Sequence, residues 1–478
     1  MRLIPCVLLL IPCALNRFRE ALDYLYSLQK YGIKLGLENI RGLLAALGNP
    51  ERAFRCIHVA GTNGKGSTSA AIASILWAAG KKTGLFTSPH LLNFTERIRI
   101  DGDEITEEET VRLALEVKEA IGKVEALRGL KPTFFEFVTA MALLEFRRRG
   151  VEWAVLETGM GGRLDSTNVV VPEVSVITPV GIDHREFLGQ TLREIAFEKA
   201  GIIKRGVPVV LGPQNAEALK TFEETAARNS APLHLYGRDF TASITDSSAD
   251  GVTFDYTCGG NKEDATAYGW VEGGHQFFSY PGLFFPLAGD YQAANAAVAV
   301  RAVQILGLDK GAGVGEQVFI RGGLNKTALP GRLELVGRAP ETRLDVAHNP
   351  EAARALAGAL SGLFLTGGRR LILVLGIMAD KDVEGIMGAL LPLAWKTVFT
   401  APAYGRAARP GELKARAQAL GFQKTFSSAT VAGAIAKAKS LAGPEDLIVV
   451  TGSFYTAGEA KMVLKRAGGE FSRLRETL

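Results

Sequence analysis

The 478-residue chain has only four cysteines, six histidines, six methionines and four tryptophans. Cys6, Cys13, Cys56 and Cys258 have neither the density of a disulfide-stapled scaffold nor the paired spacing of a zinc site, so a reducing compartment fits. Charge of one sign is also lacking, since 55 Lys and Arg against 50 Asp and Glu leave only +5. The basic residues are scattered apart from Arg147-Arg148-Arg149, which reads as the cation-favouring end of a helix, and no nucleic-acid-binding stripe results. No apolar run reaches membrane length; the longest, Met1 to Leu15, is too short and contains Pro5 and Pro12. What remains is ordinary globular composition, 47% hydrophobic and 22% charged, in a chain long enough for two domains.

One segment breaks the ordinariness. Ile57-His58-Val59-Ala60 leads into Gly61-Thr62-Asn63-Gly64-Lys65-Gly66-Ser67-Thr68, and helix-like Ala70 to Ala79 follows. Glycines let backbone N–H groups converge on an anion, and a helix N-terminus adds partial positive charge. Lys65 can reach the outer phosphates of a nucleotide, and a hydroxyl can help hold Mg²⁺. The loop departs from the common phosphate-loop pattern, because Gly66 separates the lysine from Ser67 and only two residues separate Gly61 from Gly64. Taken alone it could be a turn between a strand and a helix.

Two further strand-like runs end in polar groups. Val151 to Glu157 closes on a carboxylate and continues as Thr158-Gly159-Met160-Gly161-Gly162-Arg163-Leu164-Asp165-Ser166-Thr167-Asn168. Val174 to Val180 is followed by Gly181-Ile182-Asp183-His184. Open α/β sheets bind ligands at the carboxyl ends of their strands, so Glu157 is placed to hold Mg²⁺ on a nucleotide, with an imidazole and a second carboxylate beside it. Each has a plainer alternative: Glu157 an exposed acid, His184 a loop residue, and Lys199 in Glu198 to Lys204 part of a solvated helix face.

Together these motifs resemble the folylpolyglutamate synthase/dihydrofolate synthase family, ATP-dependent amino-acid ligases related to the muramyl peptide ligases. The resemblance runs from Tyr31 to Glu38 through the glycine loop, Thr87 to Leu91, Glu96-Arg97-Ile98 and Phe135-Glu136-Phe137. It takes in the Glu157 and His184 segments and Glu198 to Lys204, and continues into Pro330 to Glu334, Asp345 to Pro350, Asp380-Lys381-Asp382 and Thr451-Gly452-Ser453. Two positions depart from the family pattern: Val346 stands where glycine is usual and Tyr291 where histidine is.

The resemblance implies a ligase that adds L-glutamate to dihydropteroate, to the γ-carboxylate of reduced folates, or to both, through an acyl phosphate. It implies ATP and Mg²⁺, two ions by family habit, as cofactors. Thr62, Asn63, Gly64, Lys65, Gly66 and Ser67 would hold the triphosphate, and Asn295, Arg332 and Asp345 would contact the nucleotide, with His348 beside them. Ser88, Glu157 and His184 would ligate metal, and Lys199 resembles a lysine that family members carry as a carbamate. Lys65, Lys199 and His348 are thus the expected catalytic set. For the pteridine the resemblance points to Gly32, Ile33, Lys34, Leu35, Thr133, Phe134, Phe135, Glu136, Leu164, Asp165 and Ser166, although Phe134 and Phe135 could equally be core. The expected partners are small molecules, with neither nucleic acid nor membrane, and the expected state is a cytoplasmic monomer. Because export would part such an enzyme from ATP, residues 1–16 read as an extra arm or a mis-assigned start rather than a signal peptide. A muramyl-type ligase would need a sugar-nucleotide domain before the glycine loop, for which there is no room; a plain NTPase would not need the Asp345 to Pro350 segment.

The expected fold is α/β. A mainly parallel, phosphate-loop-type ATPase domain spans 17–325, with helix-like Phe18 to Gln29 at its start and an antiparallel insert at 235–286. Helical Tyr291 to Leu306, a glycine-rich stretch to Gly323 and a linker at 326–331 lead to a smaller Rossmann-like domain over 332–478.

Overall fold

A computed structural model of the chain describes residues 11–32, 34–123, 131–259, 278–308 and 315–467. Eight strands make the first sheet: β1 (Arg55–Ala60), β2 (Thr83–Phe86), β3 (Ile98–Ile100), β4 (Asp103–Glu104), β5 (Trp153–Glu157), β6 (Val174–Ile177), β7 (Val209–Leu211) and β8 (Leu233–Leu235). Their order is β4-β3-β2-β5-β1-β6-β7-β8, parallel from β2 to β8 with β3 and β4 as an antiparallel edge. The inner strands are continuous apolar runs because both faces are covered. Ile57, Val59, Val155 and Val176 point to one core, with helices Lys65–Ala78, Tyr291–Leu306 and Glu316–Lys326. Cys56, Ala154 and Leu156 point to the other, with helices Glu38–Ala46, Glu107–Lys123 and Phe134–Arg148.

β9 (Phe240–Ser248), β10 (Gly251–Cys258) and β11 (Phe278–Phe285) form an antiparallel sheet in the order β11-β10-β9. Residues 260–277 of the 235–286 segment lie outside the described residues. The inner face of this sheet, with Phe254, Tyr256, Leu283 and Phe285, joins the first core, and Tyr256 Oη donates to Gln304 Oε1 at 2.6 Å. A second α/β unit holds β12 (Glu334–Arg338), β13 (Glu341–Leu344), β14 (Leu371–Leu375), β15 (Ala394–Phe399), β16 (Thr425–Ser427) and β17 (Leu447–Thr451). Its order is β12-β13-β17-β14-β15-β16, parallel apart from the β12–β13 pair. The α/β expectation holds for both units.

Three boundaries differ from the expectation. The first helix runs Ile11–Ser27, so it begins inside the stretch set apart as 1–16, and Leu28–Tyr31 is a tighter 3₁₀ turn. The helix after the glycine loop starts at Lys65, five residues before the expected Ala70, because Gly64 at φ 88° lets the chain turn directly into it. The glycine-rich stretch before the linker is a helix, Glu316–Lys326. Low propensity is overridden there by close packing: Gly323 lies so near helix Lys65–Ala78 that a Cβ would sit 2.4 Å from Ile75 Cα, and its carbonyl accepts the Ser74 hydroxyl at 2.6 Å.

Among the described residues no helix is long and apolar enough to cross a membrane. Gly322, next to Gly323, has open space where a Cβ would stand. Gly323→Ala is therefore expected to cost about 1–3 kcal/mol in urea denaturation through backbone overlap. Gly322→Ala should instead be neutral or stabilising by up to about 1 kcal/mol, from helix propensity alone.

Candidate active site

Four neighbouring strands, β2-β5-β1-β6, deliver four chemical groups to one sheet edge. β1 leads into the glycine loop, β5 ends on Glu157, β2 leads to Ser88 and β6 to Asp183 and His184. The glycine loop is held from below, where Thr62 and Asn63 both donate their N–H to Pro179 O at 3.0 and 3.2 Å. Thr62 Oγ1 exchanges hydrogen bonds with the Gly181 backbone at 3.1 Å. Gly61 and Gly64 have φ of 145° and 88°, and a Cβ on Gly64 would meet Asn295 Oδ1 at 2.4 Å, so Asn295 rests on the loop itself. Helix Lys65–Ala78 has no side-chain cap, which leaves its first N–H groups directed at the site. Lys65 Nζ folds back on the loop carbonyls of Gly61 and Thr62 at 3.2 and 3.4 Å.

Glu157 is buried, and one oxygen accepts the Ser88 N–H at 3.3 Å. Burial raises its pKa against the opposing charges of Lys65, Arg332 and Arg97. A cleft lined by Gly66, Ser88, Glu96, Glu157, Arg332 and Phe454 opens above it. Gly66 has a reason here, since a Cβ would stand 3.9 Å from both Glu157 Oε2 and Arg332 Nη2. Any larger side chain would enter the cleft. Arg332 lies over the Phe454 ring at 5.5 Å, while Asp345 is buried and accepts the N–H groups of Leu333 and Ala347 at 3.2 and 2.8 Å.

The second unit closes on the β6 loop through Asp183. Lys381 Nζ reaches Asp183 Oδ1 at 2.6 Å, Asn349 Nδ2 reaches Oδ2 at 3.3 Å and His348 Nε2 lies 3.6 Å from Oδ2. Burial opposes ionisation of Asp183, but His348, His184 and Lys381 outweigh it and hold the carboxyl well below the usual range. Asn349 also donates to Asn63 Oδ1 of the glycine loop at 3.0 Å, and Glu351 sits against Gly181, where a Cβ would come within 1.4 Å of its carboxylate. His184 occupies the left-handed region at φ 52°. Burial, partly opposed by Asp183, lowers its pKa to about 4 and keeps the imidazole neutral.

Metal ligation can be tested on these groups. A carboxylate whose proton affinity is raised by burial, next to a hydroxyl and a neutral imidazole, suits a hard cation. Among the described residues no group of three or more His, Cys, Asp or Glu gathers, so most ligands would have to come from phosphates and water, as Mg²⁺ prefers.

Lys199, on helix Leu192–Ala200, is 3% exposed and donates to Gly61 O at 2.7 Å. Burial, reinforced by the charge of Lys65, lowers its pKa to about 7. The solvated-face alternative therefore fails for this residue.

The pteridine set divides. Thr133 and Glu136 form a reciprocal cap for helix Phe134–Arg148, at 2.6 and 3.2 Å. Asp165 accepts from Met160 N, Thr167 N and Thr167 Oγ1 at 2.8, 3.0 and 2.5 Å, so its carboxylate builds the loop. Ser166 is buried in the turn that Asp165 caps, and Leu164 is half-buried beside it. Phe134 and Phe135 are both half-buried; Phe135 packs on Phe86 and beneath Gly159, whereas Phe134 stacks on Tyr26 at 5.8 Å. Lys34 donates to Lys131 O at 2.9 Å and, with Leu35 and Glu136, lines a second cleft near Gly32; Ile33 lies outside the described residues. Sequence reasoning did not assign roles to Asn349, Glu351, Lys381 and Arg97. Their signal was only that three of them fall within motifs carrying the resemblance, and contacts across units have no sequence period.

Val346 is buried with Leu91, Ala457 and Phe454, and a Cβ on Gly331 would stand 2.9 Å from it. This β-branched residue thus packs between the units. Tyr291, the other departure, packs against the core of the second unit.

Residues 59–303 match the Mur ligase middle domain, and residues 331–454 match the Mur ligase glutamate ligase domain. The chain is 35% identical to the dihydrofolate synthase/folylpolyglutamate synthase of Bacillus subtilis over 455 residues, covering 94% of this chain and 99% of that one. The protein of the same description from Escherichia coli is 35% identical over 464 residues, with 96% and 99% covered. Among solved structures, a Mycobacterium tuberculosis folylpolyglutamate synthase complexed with ADP superposes with a TM-score of 0.82 at 32% identity, over 94% and 99% of the two chains. E. coli FolC in complex with DHPP and ADP gives 0.78 at 32% identity, over 94% and 98%.

Lys381→Met would remove the cation facing Asp183 while leaving His348 and Asn349 in place. The expected outcome is a larger radius of gyration in small-angle scattering and ATP binding weakened by about tenfold, since a buried carboxylate loses its main partner. An unchanged radius would show that the units are held together by other contacts.

Proposed function

This chain belongs to the Mur ligase family, in its dihydrofolate synthase/folylpolyglutamate synthase group, and we propose on that basis that it ligates L-glutamate to a folate-side carboxylate at the expense of ATP. The observation that carries the proposal is the cleft between the two matched domains, where the glycine loop meets Glu157 and Arg332, with the Asp183–Lys381 closure joined to the same loop through Asn349. A carboxylate oxygen attacks the γ phosphorus, the bond to the bridging oxygen of ADP breaks, and an acyl phosphate forms. The α-amine of glutamate then attacks the acyl carbon, phosphate leaves and the nitrogen gives up a proton. Such an intermediate has to be kept from water, which a cleft closed by two units supports.

The loop N–H groups and Lys65 are assigned to the triphosphate, with Thr62, Asn63, Gly64, Gly66 and Ser67 shaping the cradle. Asn295, Arg332 and Asp345 are assigned to the nucleotide, and His348 to the closed arrangement around Asp183. Mg²⁺, when bound, would neutralise phosphate charge, and Ser88, Glu157 and His184 are the residues that would hold it. A lysine with pKa near 7 in a buried setting has the free amine that carbamate formation requires, which supports carbamylation of Lys199. Phe134, beside Tyr26, is the member of the pteridine set whose position best supports contact with an aromatic ring.

ADP release should require Mg²⁺, L-glutamate and an acceptor, and the product should gain one glutamate by mass. Turnover with both dihydropteroate and tetrahydrofolate would establish both activities, and turnover with one would make the enzyme monofunctional. ADP release independent of glutamate and acceptor would instead leave an NTPase. Activity should also fall when CO₂ is stripped from the buffer and return with bicarbonate. At fixed CO₂ pressure that recovery should grow as pH rises through about 7, because the neutral amine of Lys199 is the reactive form. Lys199→Ala should be inactive and insensitive to CO₂.

A further inference from the structure

Two arginines are buried among the described residues, Arg97 at 7% exposure and Arg343 at 6%. Arg343 is compensated in the ordinary way, with its Nε 2.6 Å from a Glu341 oxygen. Arg97 is not. Its Nε donates to His90 Nδ1 at 2.7 Å, and an imidazole nitrogen that accepts a proton in this way carries no charge there. Its guanidinium stands 5.2 Å from the centroid of the Phe134 ring. Among the described residues no carboxylate pairs with it and no hydrogen bond reaches Nη1 or Nη2.

The carboxylate next in sequence is committed elsewhere. Glu96 accepts the N–H groups of Leu91, Leu92 and Asn93 at 2.7, 2.8 and 2.9 Å, completing the cap of the turn Phe94–Arg97. That cap, with Thr87 N donating to Arg97 O at 3.0 Å, fixes the arginine against the Ser88 loop. Burial accordingly lowers Arg97 to about 10, against the pull of Tyr26, Tyr455, Glu157 and Glu96. A buried cation with an unfilled planar fork is costly to maintain unless an anion arrives to fill it.

The surroundings say which anion. Rings lie beside the guanidinium: Phe134 stacked on Tyr26 at 18° between planes, with Phe94 edge-on at 6.4 Å. Glu157, which lines the cleft beside Gly66, lies within electrostatic reach of Arg97. A molecule with an aromatic body and a carboxylate at its end matches that sequence of surfaces. We propose that Arg97 grips the carboxylate about to be activated through Nη1 and Nη2, holding it between the Tyr26–Phe134 rings and the phosphate side of the cleft. This rests on the ligase reading above. The fork orients one carboxylate oxygen toward the γ phosphate, and Phe134 backs the guanidinium from its face.

The test is a cycle of protein and ligand changes read by titration calorimetry, with Mg²⁺ and a non-hydrolysable ATP analogue present. Dihydropteroate and its carboxamide, which has the same ring system without the charge, are titrated into wild-type protein, Arg97→Gln and Arg97→Lys. Wild type is expected to prefer the acid by about 10–100-fold, the range of a charge-assisted bidentate pair. In Arg97→Gln that preference should fall to within about threefold of unity, with affinity for the ATP analogue unchanged. In Arg97→Lys, which keeps the charge and loses the fork, it should fall at least about threefold. A merely structural role for Arg97 would weaken acid and carboxamide alike, so a wild-type preference retained in either variant overturns the proposal. Should Arg97→Gln fail to fold, Arg97→Lys decides by itself. Wild-type protein that binds neither compound is titrated instead with tetrahydrofolate and its γ-carboxamide under the same criteria; binding of none of the four removes the ligase reading, and the proposal with it.

Discussion

The buried carboxylate of Asp183 is the point on which the site depends. It lies at the end of β6, 8% exposed in its side chain, and Lys381, Asn349 and His348 of the second unit converge on it. A charge so buried is tolerable only when paired and hydrogen-bonded, and here nearly all its partners come from the other unit. The same convergence carries Asn349 onto Asn63 and Glu351 onto Gly181, so the glycine loop is roofed by the unit that holds Asp183. A second, apolar contact acts beside it, where Leu91 meets Val346, Ala457 and Phe454. The polar contact has direction and the apolar one has area; together they set the cleft in which Glu157 and Arg332 face each other.

Several groups in that cleft carry a strain or a charge that the fold alone would not select. His184 takes a left-handed backbone, Glu157 and Asp345 are buried acids, Lys199 is a buried amine, and Arg97 is a buried guanidinium without a carboxylate. Each is unfavourable alone. They are tolerated because rigid elements over-determine their positions: strand ends for Glu157 and Asp345, a capped helix for Lys199, a capped turn for Arg97. Under the proposed function, a triphosphate, Mg²⁺ and a carboxylate substrate would bring complementary charges to these groups.

The sequence was legible where one element explains its own residues. The glycine loop, the apolar strand ending on Glu157 and the helix Tyr291–Leu306 could be read because turn chemistry and hydrophobic runs are local. It misled where a partner decides. Glycines at 322 and 323 argue against helix, yet the approach of Ile75 needs Gly323 within one. Asp165 and Glu136, expected to face a substrate, also accept nearby backbone N–H groups, contacts that spacing alone does not foretell. The two adjacent phenylalanines are both half-buried against one core, and only the fold gives them different ring partners, Tyr26 for Phe134 and Phe86 for Phe135.

By itself, then, the sequence determined the α/β alternation, the phosphate cradle and the set of titratable residues at strand ends, because hydrophobic periodicity and glycine conformation are properties of short stretches. Only the tertiary structure decided which of those residues share a site. Strand order β2-β5-β1-β6 juxtaposes Ser88, Glu157, Lys65 and His184, and closure onto Asp183 adds Asn349 and Lys381 from more than 160 residues away. Burial depends on that juxtaposition, so the neutral tendency of Lys199 and the unpaired charge of Arg97 arise from packing between distant segments.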